Sequence, residues 1–97
     1  MKARTREWRE GNDWPFISTT VRGAGRECVA RTTVLSHSVA RSGCEFHETP
    51  WRARLMQRSG RLPSLAHEDQ EHGCVKTPRE AQRAAVQACG RLLRSAR

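Results

Sequence analysis

Two close pairs in this chain, Cys44-x-x-His47 and His72-x-Cys74, carry the residue types that hold a metal. Zinc takes thiolates and imidazoles in fours, and once bound it folds chains whose apolar core is too small to fold alone. Cys44, His47, His72 and Cys74 are therefore the candidate ligands of a zinc site, and a small zinc-folded interaction module is one functional expectation. The spacing departs from common structural sites, which join Cys-x(2-4)-Cys to a second Cys pair or to His-x(3-5)-His. The second pair here is also one residue tighter than the usual knuckle.

Other chemistry finds no frame. A thiolate nucleophile needs a base and an orienting group, and no local signature surrounds Cys28, Cys44, Cys74 or Cys89. Glu68, Asp69 and Glu71 lack the spacing of a calcium loop, and Gly23-x-Gly25 is followed by no third glycine. The expectation is a protein that is not an enzyme.

Charge points to a partner class. The 97 residues carry a formal charge of +8, and Lys2 and Lys76 are the only lysines among 18 basic residues, the rest being arginine. The planar guanidinium suits phosphate and carboxylate, so nucleic acid or another polyanion is the partner expected from charge. Tryptophans with arginines beside them can stack bases while neutralising phosphates. Arg6, Trp8, Arg9, Trp51, Arg52 and Arg54 are the candidate nucleic-acid-binding residues on this pattern. Binding of this kind is electrostatic and blind to base sequence. A third reading competes with both: Arg, Ala, Gly and Trp are plentiful, while Tyr is absent and Ile and Asn occur once each. That is the composition of any translated GC-rich reading frame, with no selected molecular function required.

The elements that must position these residues read as a small α+β chain of marginal order with substantial disorder. Leu, Ile, Val and Phe make only 15 of the 97 residues, a share typical of chains that remain disordered or fold in part. Residues 1–13 read as a mobile charged arm and residues 14–97 as a single small domain. The Val-, Ile- and Thr-rich stretches FISTTVR and ECVARTTVL flank a glycine-bearing turn, which predicts a β-hairpin over about 16–35. In the second stretch Arg31 shares a face with Val29, an imperfection in the alternation.

Two Thr-Pro dipeptides read as helix starts, with threonine as cap and proline at the first helical position. The first predicts a short helix over about 50–59, with Trp51 and Leu55 one turn apart and Gly60 as its stop. The second, Thr77-Pro78-Arg79-Glu80, fits a capping box and opens a helix over about 78–95, along which Ala81, Ala85, Ala88 and Leu92 recur at helical spacing. Between them, residues 61–76 read as a solvated linker. No run of 18 apolar residues is available to span a membrane, and the N-terminal stretch lacks the apolar core of a secretory signal. An intracellular location with all four cysteines reduced is expected on that basis.

Overall fold

The computed structural model describes residues 7–12, 14–34, 43–45 and 47–96. Among the described residues five strands, β1 (Arg9–Glu10), β2 (Phe16–Gly23), β3 (Arg26–Thr33), β4 (Thr49–Leu55) and β5 (Gln70–Val75), precede one α-helix, α1 (Pro78–Ser95). The strands form a single antiparallel sheet in the order β1-β2-β3-β4-β5, each paired with its neighbour in sequence. Helix α1 lies across one face, on the central strands.

This overturns the expectation of marginal order. The radius of gyration is 13.1 Å, against roughly 13 Å for a folded domain of 100 residues and about 30 Å for an unfolded chain. A census of large apolar side chains misjudged the core, because the core is built from small ones. Cys28, Ala30, Ala53, Ala85, Ala88 and Cys89 are fully buried together with Leu55, Leu92 and Leu93. Short side chains on the facing surfaces of helix and sheet leave little volume to fill. Thr32, Thr33 and Thr49 are buried as well, and the Thr32 hydroxyl donates to the Pro50 carbonyl at 3.0 Å, which offsets the burial of that polar group.

The stretch read as a hairpin holds β2 and β3, joined through Ala24 and Gly25. Both turn residues have positive φ, 53° and 73°, the combination of a type I′ turn, whose twist matches that of the flanking strands. Thr77 caps α1: the Glu80 amide donates to its hydroxyl at 3.1 Å. The helix continues through Gly90 to Ser95, held by the burial of Cys89, Leu92 and Leu93 around that glycine.

The short helix expected over 50–59 is instead strand β4. Residues four apart share a face both in a helix and in a strand, so the Trp51–Leu55 spacing does not separate the two. What separates them is Ala53, two residues from each and fully buried, between Arg52 and Arg54 on the opposite face. The linker expected over 61–76 is corrected too. It contains a 3₁₀ turn (His67–Asp69) and β5, and Ser64 anchors it by donating to Asp69 at 2.6 Å. Arg9 and Glu10, read as part of the N-terminal arm, pair with Ser18 and Ile17 of β2.

Candidate polyanion-binding face

Register decides which side chains share a surface, since directly paired residues point the same way. Pairing of Ala30 with Ala53 and of Cys28 with Leu55 places those four under the helix. The intervening residues form the opposite face, which α1 does not cover. There Arg31 lies directly across from Arg52, and Val29 from Arg54. Arg52 is in turn opposite His72, and Arg54 opposite Gln70. By the same alternation Arg9, paired with Ser18, and Arg22, paired with Glu27, belong to this open face.

Five arginines (9, 22, 31, 52 and 54) thus meet a single strand carboxylate, Glu27, which Arg22 already engages at 2.8 Å. The three central guanidiniums repel one another. Burial first, then the charges of Arg54 and Arg31, push the Arg52 guanidinium below its ordinary pKa, which burial and like charges do to any cation. Arg54 donates to the Gln70 side chain at 3.0 Å, while its buried Nε has no hydrogen-bond partner. The Arg31 guanidinium carbon lies over the Phe16 ring, 4.3 Å from its centroid, a cation–π contact.

Two clefts open beside Arg31. One of about 300 Å³ is lined by Val29, Arg31, Arg52, Arg54, Met56 and Pro63. The other, about 160 Å³, is lined by Gly11, Phe16, Ile17, Ser18, Val29 and Arg31.

The candidate residues from sequence are divided between the two faces. Arg9, Arg52 and Arg54 lie on the open face. Trp8 and Trp51 pack against the core on the helix side, so Trp51 does not share a surface with the arginines that flank it in sequence. Its indole lies across Gly73, where a Cβ would come within 2.8 Å of the ring. Arg6 lies outside the described residues. Arg31 and Phe16 were missed, and the signal for them was present: the placement of Arg31 beside Val29, read as a flaw in the alternation, marks the uncovered face.

Of the four candidate metal ligands, Cys44 and Cys74 come together as a disulfide with Cα atoms 5.7 Å apart. This corrects the expectation that all four cysteines are reduced, and a disulfide presents no thiolate to a cation. A Glu48 carboxylate oxygen lies within 4.8 Å of both sulfurs. His47 and His72 are exposed and are not part of that cluster. Cys28 and Cys89 are buried in the core as thiols outside the disulfide, and a hydrogen bond with Cys89 holds the Cys28 thiol below its ordinary pKa. No helix among the described residues is long and apolar enough to cross a membrane. Comparison with protein-family models, with curated proteins and with solved structures gives no match.

Proposed function

We propose that this is a non-enzymatic binding protein that holds nucleic acid through its open sheet face, by charge and without base preference. The observation that carries the proposal is the direct cross-strand pairing of Arg31 with Arg52, with Arg54 two residues on. Like charges placed opposite one another destabilise a sheet, and an anion laid across them removes that penalty. Arginine suits the task because its planar fork donates to two phosphate oxygens at once.

The test is affinity for a random-sequence oligonucleotide across a salt series. Each phosphate neutralised on a single strand contributes a slope of about −0.7 in log K against log salt. Changing Arg31, Arg52 and Arg54 together to Gln is expected to flatten that slope by about 2 and to weaken binding. Affinity that is indifferent to salt, or unchanged in the triple variant, would overturn the reading.

A further inference from the structure

The clefts on this face carry the reading further, to the kind of nucleic acid bound. Resting on the polyanion reading, we propose that the ligand is single-stranded, with neighbouring bases seated in the two clefts on either side of Arg31. The clefts share Val29 and Arg31, so they adjoin across the middle of β3 and form one track over β2, β3 and β4. Phosphate alone would be satisfied by a flat basic surface. This surface instead has apolar depressions between its charges: Val29, Met56 and Pro63 in one cleft, Phe16 and Val29 in the other. The larger cleft, at about 300 Å³, is at the lower end of small-ligand sites.

Arg31 lines both clefts, and its guanidinium carbon lies over the Phe16 ring, 4.3 Å from the centroid. A guanidinium beside an aromatic ring offers planar surface on which an unpaired base can stack, as bases do on aromatic and arginine planes in single-strand recognition. Arg52 and Arg54 flank the larger cleft, where the backbone of a strand with its base turned inward would pass. Bases of a duplex are stacked within the helix and cannot enter such depressions without unpairing. A peptide of acidic residues alone would meet the charges but offers no planar group for the clefts.

The experiment compares, at low salt and by fluorescence anisotropy, a labelled oligothymidylate of about 12 nucleotides, a duplex of the same length, and inorganic polyphosphate and polyglutamate as competitors. The expected result is binding of the single strand about tenfold tighter than the duplex, with polyglutamate competing poorly. Phe16→Leu and Met56→Ala, which leave every arginine in place, are expected to weaken the single strand several-fold and leave the duplex unchanged. If single strand and duplex bind equally, and both are lost in Arg52→Gln/Arg54→Gln, the cleft proposal is overturned and the polyanion reading stands. Competition by polyglutamate equal to that of the oligonucleotide would also overturn the single-strand proposal. If neither nucleic acid binds at low salt, both readings fall.

Discussion

The two faces of the sheet are made from the same strands and obey different rules. Along β3 and β4, Cys28, Ala30, Ala53 and Leu55 are sealed beneath α1, while Val29, Arg31, Arg52 and Arg54 alternate with them on the uncovered side. The covered face is specified by volume, since its residues are short and its helix presents Ala85, Ala88 and Cys89 to them. The open face is specified by charge, and its central cations oppose one another. Fold and charge display are therefore separable in this molecule, residue by residue along one strand.

The largest effect should come from the covered face. Leu55→Ala empties the space of the bulkiest fully buried side chain and is expected to lower unfolding stability by about 2–5 kcal/mol, measured by urea denaturation. A comparable loss from substitution at Val29 or Arg31 would break the distinction between the faces. Next, Ala85→Leu adds volume where helix and sheet meet with no exposed surface, and a loss of about 1–3 kcal/mol is expected. A neutral result would mean that the interface has slack and that volume does not specify it.

The smallest effect has the opposite sign. Arg52→Gln relieves the cross-strand repulsion and is expected to stabilise the ligand-free protein by about 0.2–1 kcal/mol at low salt. The gain should vanish as salt screens the wild-type charges. Loss of stability on that substitution would show that Arg52 is held by packing, and would weaken the case for an anion above it.

These contrasts also explain which parts of the molecule were legible in the sequence. The C-terminal helix was, because Ala81, Ala85, Ala88 and Leu92 recur at intervals of four, three and four, which a helix gathers on one face and a strand does not. Strand β4 was not, because its apolar pair Trp51 and Leu55 fits both periods, and the deciding residue, Ala53, is a single alanine between two arginines. Strand β5 carries Glu71, His72 and Gly73 and lacks the β-branched run that marks a strand. It is kept in the sheet by its neighbours: Arg91 of α1 reaches Glu71 at 2.8 Å, and the Trp51 ring occupies the space above Gly73. For the site, abundant arginine named a partner class from composition alone. Which arginines act together depends on register, and the pairing of Arg31 with Arg52 joins residues from strands whose alignment no local pattern fixes.

The bond between Cys44 and Cys74 has a topological result beyond its hold on the strand ends. It closes a covalent ring that begins ahead of β4, runs along that strand, passes through residues 57–66 and returns along β5. Arg58 and Arg61 lie exposed on the segment between the two strands. A protease that cuts after either of them opens the ring without parting the chain, so the nicked molecule remains one covalent body until the sulfurs are reduced. In an oxidising medium a cut in this exposed loop thus leaves the sheet, and the charges it displays, in one piece.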